Sequence, residues 1–361
     1  MQMCFVHRTV LYAYLISPIY TLSVLKVPEQ CPLQEGGIDA KRIQDSFFSK
    51  RLCFQIEEGE DVAATCAEEL ARRLPYIALD SWPQRFELGG VYLAGRAATP
   101  TAQVVPPCRL EYYEPVFDIA KASEFYPQFS AEWILDLDED LGVAYKPPGL
   151  PTTPARDQAK YNLARYLGEH FSAPVHTPSR LDTGVDGLLL FSRSSRMNRA
   201  LQRAYDKHRI EKVYLALVTP AVEWKMLDVE APIARDQRHP VLRCVDAERG
   251  ESAHTRLDVL LTDGGYSLVQ AQPFTGRTHQ IRLHCAGSGA PIVGDPYYGG
   301  ADASRVHLTS FALRFFHPYR QVYKMYVLPN SMRPEWLRSI EAKYGDIAER
   351  LLLNPVERYG V

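Results

Sequence analysis

Three segments far apart in this 361-residue chain each set a polar functional group at the edge of an apolar run. They carry Arg180 and Asp182, then Tyr214, then Arg277, His279, Gln280 and Arg282. Asp182 lies two places after Arg180, in SRLDTGVDGLLLFS. The Asp-Thr-Gly step reads as a turn, and Leu188, Leu189, Leu190 and Phe191 read as a short strand buried on both faces. A carboxylate at the rim of a core strand, kept ionised by a nearby guanidinium, has the makings of a nucleophile that needs no metal and no redox centre. An aspartate in such a place also serves ordinary turns, so the surrounding elements have to decide between the two.

Those elements come in mixed order. Glu211–Val218 alternates as a strand, with Val213, Leu215 and Leu217 on one face and Tyr214 and Ala216 on the other. Tyr266–Gln272 is a further strand, running into a proline-glycine turn and then a helix ended by Gly287, Ser288 and Gly289. On that helix side, Arg282 falls four residues after Thr278. Lys146 closes the strand Leu141–Tyr145, just before a turn forced by Pro147, Pro148 and Gly149. It reads as a turn-stabilising lysine. Residues 162–171 read as a helix, and so does SSRMNRALQRAYDKH, with Met197, Leu201, Tyr205 and His208 inward and Arg199, Arg203 and Lys207 opposite. Earlier, Val62, Cys66, Leu70 and Leu74 define a helix that Asp61 would cap and Pro75 would stop. A second short helix with Asp80 or Ser81 as cap and a small hairpin follow, leaving Arg72, Arg73, Arg85 and Arg96 available on exposed faces. Without steady strand-helix-strand alternation, the fold class is α+β.

The composition is that of a soluble protein, 46% hydrophobic and 23% charged. A formal net charge of −2 argues against a uniformly basic nucleic-acid binder, though attraction to phosphate depends on where the charges sit. Between Thr275 and Arg320 there are five arginines, no lysine and two acids, a local excess suited to an anion such as RNA phosphate. Seven scattered cysteines without a Cys-x-x-Cys pair read as reduced thiols. His279 and His284 lack the spacing of a metal-hydrolase motif. The apolar run Thr9–Leu25 is short for a spanning helix and contains Pro18, so it reads as a packed or partly ordered extension rather than an anchor.

Taken together, RLDTGVDGLLLF, EKVYLALV and PFTGRTHQIRLHCAGSGAPIVGDPYYG resemble the three signature motifs of the RluA-type pseudouridine synthases. KPPGLPTTPA resembles that family's entry motif and RVHLTSFALRFFHP its closing strand. The resemblance spans about 137–318 and implies the pseudouridine synthase fold, a mixed and mostly antiparallel sheet flanked by helices. It implies residues 1–57 as an extension, 58–116 as a module similar to the α-L RNA-binding domain, 117–134 as a linker, 135–332 as the catalytic domain and 333–361 as a helical tail.

The implied activity is isomerisation of uridine in RNA, large-subunit ribosomal RNA ahead of transfer RNA, by a cytoplasmic monomer needing no cofactor, no metal and no membrane. Asp182 would be the nucleophile, Tyr214 the ring that stacks on the target base, and Arg282 the cation paired with Asp182. Arg180, Arg277, His279, Gln280 and Lys146 would grip RNA or order the pocket. Ser179 stands where the family has histidine, and Val185 and Asp186 replace Thr-Ser. Asp186 would set a second carboxylate near the nucleophile, raising its pKa or repelling phosphate. The alternative function is an RNA-binding protein of the same fold with weak or lost catalysis; a metal-dependent hydrolase is a distant third.

Overall fold

The computed structural model describes residues 48–88, 90–115, 126–154, 161–236, 242–300 and 305–353. The run Thr9–Leu25, most of the N-terminal extension and much of the expected linker lie outside the described residues. Among the described residues, no helix is long and apolar enough to cross a membrane.

A small four-stranded antiparallel sheet comes first, in the order β1-β4-β2-β3, built from β1 (Phe48–Ile56), β2 (Val91–Leu93), β3 (Arg96–Ala97) and β4 (Cys108–Pro115). Two helices, α1 (Cys66–Arg73) and α2 (Trp82–Leu88), cover it. Leu70, Trp82, Phe86, Leu110 and Tyr112 form their shared core. The helices and hairpin match the sequence reading, but β1 starts before residue 58 and pairs along most of its length with β4. The cap of α1 also differs from expectation. Thr65, not Asp61, accepts from the Glu68 amide while the Glu68 carboxylate returns a bond to the Thr65 amide. That reciprocal pair satisfies two of the free donors at a helix start.

The larger unit is a nine-stranded sheet built on β5 (Ile134–Leu137), β6 (Leu141–Lys146), β7 (Asp186–Ser192), β8 (Ile210–Val218), β9 (Met226–Glu230), β12 (His254–Asp263), β13 (Tyr266–Pro273), β14 (Leu308–Phe316) and β15 (Tyr323–Val327). The order is β5-β6-β7-β14-β8-β13-β12-β9, with β15 added beside β14. Only β7 and β14 run parallel; every other pairing is antiparallel. A separate hairpin, β10 (Ile233–Arg235) and β11 (Arg243–Val245), stands off the sheet. The expected α+β class is therefore found.

Alternation along the strands produces two cores, one on each face. Leu189, Phe191, Tyr214, Ala216, Val269 and Ala271 face one core, under α3 (Leu163–Phe171) and α5 (Gln280–Gly287). Leu188, Leu190, Leu215, Leu268 and Phe311 face the other, under α4 (Ser195–Asp206), α6 (Glu335–Tyr344) and α7 (Ile347–Leu353). On α4, Met197 and Leu201 are buried as expected, while His208 is exposed. The helix ends at Asp206, and His208 takes a left-handed φ of 52° beyond it, so helical spacing no longer turns it inward.

One backbone crossing fixes the site-bearing strand. At Gly187, with φ of 113°, a Cβ would sit 2.2 Å from the Ser310 carbonyl oxygen on β14. A Gly187→Ala protein should lose at least about 2 kcal/mol, from backbone strain plus overpacking. Chemical denaturation measures this, and a variant as stable as the parent would contradict the crossing.

Candidate active site

Asp182 sits on a loop clamped from below by the turn that follows β6. The Thr152 hydroxyl donates to the Leu181 carbonyl at 2.8 Å and accepts from the Leu181 amide at 3.0 Å. The Gly149 amide donates to the Thr183 carbonyl at 2.9 Å. Lys146 completes the clamp: its Nζ donates to the carbonyls of Pro147, Leu150 and Thr183 at 2.9, 2.7 and 3.2 Å. The RNA-contacting role expected for Lys146 is corrected here. Its side chain is fully buried, and three carbonyl oxygens take the charge that would have met phosphate.

The opposite wall is the start of α5. His279 is its N-cap, in the left-handed region at φ 59°, and hydrogen-bonds through Nδ1 to the Tyr298 hydroxyl at 2.8 Å. Its Nε2 lies 4.0 Å from Asp182 Oδ2. Gln280 faces inward: its Oε1 accepts from the Thr275 hydroxyl at 2.7 Å and the Arg277 amide at 3.0 Å, and its Nε2 donates to the His254 carbonyl and the Thr255 hydroxyl. Gln280 thus orders the pocket and does not grip RNA. Arg277 is exposed and ion-pairs with Glu251, donating also to the Ser252 carbonyl at 3.1 Å.

Arg282 is where the sequence reading needs its main amendment. Its Nη1 reaches Asp182 Oδ2 at 3.4 Å, so the expected pair exists. The closer partner is Asp295, bound through Nε and Nη2 at 2.7 Å each, with both side chains almost wholly buried. Asp295 also accepts from the Tyr297 and Tyr298 amides at 2.9 and 3.3 Å, and the guanidinium lies 5.0 Å over the Tyr297 ring. Sequence reasoning missed Asp295, although it stands in the GDPYYG end of the third motif. Its role depends on a fold-back of the chain that spacing does not reveal.

About a quarter of the Asp182 side chain is exposed. Burial works against its charge, but His279, Arg282 and Arg180 together outweigh burial and hold its pKa below the usual aspartate range. Burial pushes His279 down to about 4, the nearby carboxylates opposing only partly. Near neutral pH the imidazole is uncharged, so the lasting cations acting on Asp182 are Arg282, within 3.4 Å, and Arg180. Burial, reinforced by the neighbouring Tyr205 phenol and the Asp182 carboxylate, keeps the Tyr214 phenol protonated well above its ordinary range, a Ser310 contact opposing.

The feared second carboxylate is elsewhere. Asp186 is buried, accepts from the Thr309 hydroxyl at 2.7 Å, and lies 2.8 Å from Arg305 Nη2. Tyr145 donates to its other oxygen at 3.4 Å. It does not line the pocket, because β7 begins there and turns the side chain towards β14. Ser179 in turn donates to the Tyr205 hydroxyl at 3.0 Å on the cleft wall.

These walls enclose a cleft of about 1330 Å³. Asp182, Tyr214, Arg180, Arg277, His279 and Arg282 line it; Lys146 and Gln280 do not. Four further basic residues join them: Lys212, Arg235, Arg243 and, from the small module, Arg96. Among the described residues, Asp182 and Asp206 are the only acids on the lining. A chain that is slightly acidic overall therefore concentrates cations here. Of the other arginines expected on exposed faces of the module, Arg72 and Arg73 pair with Glu69, and Arg85 donates to the Tyr112 hydroxyl. Among the described residues, no three His, Cys, Asp or Glu side chains group as metal ligands. His284, five residues from His279, bonds to Thr255 and the Ala231 carbonyl instead.

The buried pair carries a stability cost that can be measured. Asp295→Ala removes the bidentate partner of Arg282 in the interior and should cost about 3–5 kcal/mol. Asp182→Asn, at the partly exposed end of the same guanidinium, should cost about 1 kcal/mol or less. Equal losses in urea unfolding would refute this division of roles.

The RNA pseudouridylate synthase family matches residues 140–287. A Zymomonas mobilis protein described as an uncharacterized RNA pseudouridine synthase is 36% identical over 174 residues, covering 47% of this chain and 79% of that one. The dual-specificity RNA pseudouridine synthase RluA of Vibrio cholerae is 30% identical over 202 residues, covering 55% and 82%. Among solved structures, human RNA pseudouridylate synthase domain containing 1 superposes with a TM-score of 0.52 at 23% identity, over 65% of this chain and all of that one, a likeness of fold. With the motifs around Asp182, Tyr214 and Arg282 converging on one cleft, this chain belongs to the RluA-type RNA pseudouridine synthase family.

Proposed function

We propose that this protein isomerises uridine to pseudouridine in structured RNA, ribosomal or transfer, with Asp182 as the nucleophile. The observation that carries the reading is an ionised carboxylate on the wall of a basic cleft, held 3.4 Å from a buried guanidinium and sharing that cleft with a buried tyrosine. A uridine inside a helix is unreachable, so the base is flipped out and stacks on Tyr214. Looped or single-stranded RNA is the natural target.

The carboxylate attacks either the ribose anomeric carbon or the uracil ring. In the first route the C1′–N1 bond breaks and its electron pair stays on N1. The freed uracil turns, C5 bonds to C1′ and expels the carboxylate, and the C5 proton leaves to a base or to water. Both routes require Asp182 charged on approach, which is what Arg282 supplies. Arg282 acts through charge, and Asp295 acts through Arg282, fixing the direction of its Nη1. On the cleft lining, Arg180 and the exposed Arg277 hold phosphates, with Arg96 extending that basic lining onto the small module.

Tritium release from RNA labelled at uridine C5 tests this reading, because the new glycosidic bond displaces that hydrogen. RNA from cells lacking the protein supplies the substrate. Asp182→Asn and Asp182→Ala should reduce release at least about 1,000-fold, the order of loss on removing a catalytic nucleophile. Release unchanged in either variant would sink the proposal; RNA binding with no release even by the parent would favour the binding-only reading.

The pH profile follows from the same groups. Asp182, with its pKa lowered on folding, is charged and stabilising above the ordinary aspartate value, and that contribution is lost as the pH falls through the lower folded value. With His279 titrating at about 4, kcat should be flat between pH 5 and 7. A limb with its midpoint between 6 and 7 would instead assign the proton transfer to a histidine.

A further inference from the structure

Lys212 lies two residues before Tyr214 on β8, so both side chains leave the same face of the strand and line the cleft. Its Nζ stands 5.7 Å from the centre of the Tyr205 ring. On its other side is the 273–279 loop, where a Cβ on Gly276 would lie 3.9 Å from the ammonium. Among the described residues, no carboxylate is within ion-pairing distance of it. Three other cations around the cleft are engaged: Lys146 on three carbonyls, Arg282 on two carboxylates, Arg277 on Glu251. Burial alone pushes the Lys212 ammonium down to about 8, with no acid to offset it.

A half-buried ammonium lacking an acid is a poor structural element. It becomes favourable when an anion enters, because a charge-assisted bond in a sheltered site is stronger than one in water. The ligand that brings anions into this cleft is RNA, and next to the stacked base its anions are the backbone phosphates. Resting on the RNA reading above, we propose that Lys212 is the phosphate anchor of the flipped nucleotide, positioning its base over Tyr214. Gly276 fits this: the loop places no side chain between itself and the ammonium.

The test uses the full chain with Lys212→Gln and Lys212→Arg. Binding of a mixed-sequence single-stranded RNA 20-mer is followed by fluorescence anisotropy across a salt series, and tritium release is measured on the labelled RNA. Losing one phosphate contact lowers the slope of log affinity against log salt by about 0.7 on single strands. Lys212→Gln should show that drop, with KM raised on the order of 10-fold, kcat within about twofold and a melting temperature no lower than the parent, since it removes an unpaired charge. Lys212→Arg, which keeps the charge, should restore the slope. An unchanged slope in Lys212→Gln overturns the anchor, and so does a fall in kcat at unchanged KM. A slope lost equally in Lys212→Arg, with a lowered melting temperature, assigns a structural role and overturns it too. If the parent releases no tritium while the slope behaves as expected, the isomerase reading fails and the anchor stands; the reverse result sinks the anchor alone.

Discussion

Arg282 and Asp295 meet side-on, two nitrogens against two oxygens, where neither side chain is more than 1% exposed. Removing two charges from water is expensive, and bidentate geometry with further bonds on the leftover lone pairs offsets the cost. The Tyr297 and Tyr298 amides supply those bonds, and the two tyrosine rings flank the guanidinium. With two of its nitrogens fixed in this way, the third has one direction left, and Asp182 lies along it. The nearest lasting charge on Asp182 thus comes from a pair that is almost wholly buried.

The rest of the larger unit can be understood as holding the two sides of that contact in register. Asp182 comes from the loop before β7, and Arg282 from α5, a hundred residues later. The sheet joins them: β7 lies beside β14, β14 beside β8, and β8 beside β13, which feeds α5. Lys146 and Thr152 tie the Asp182 loop down from one side, while Gln280 ties the start of α5 to β12 from the other. Tyr214 reaches the cleft from the strand between. Each clamp buries its polar atoms in bonds, so the loops are fixed without forming regular structure.

Much of this was legible in the sequence. The alternation in 211–218 separated Tyr214 from Leu215 correctly, because a strand's two faces follow from its period. The buried run after Asp182 and the helix after the 273–279 loop were equally plain, and the family motifs brought Asp182, Tyr214 and Arg282 to one place. What stayed hidden was partnership. Whether Lys146 meets RNA or three carbonyls depends on how its turn packs against the 181–183 loop. Whether Asp186 threatens Asp182 depends on which way β7 faces at its first residue. Asp295 gains its meaning from Arg282, 13 residues away in the chain, and Lys212 from Tyr205 and Gly276, 7 and 64 residues away. Local pattern fixes which face a residue takes; long-range closure decides what it touches there.

The account stands or falls on Asp182 acting on RNA uridine. The most direct measurement is pseudouridine mapping of total RNA from cells lacking the protein, compared with cells carrying the parent chain or Asp182→Asn. The account predicts specific sites lost in the deletion, restored by the parent and left unmodified with Asp182→Asn. Sites restored equally by both chains, or no site lost at all, would contradict it.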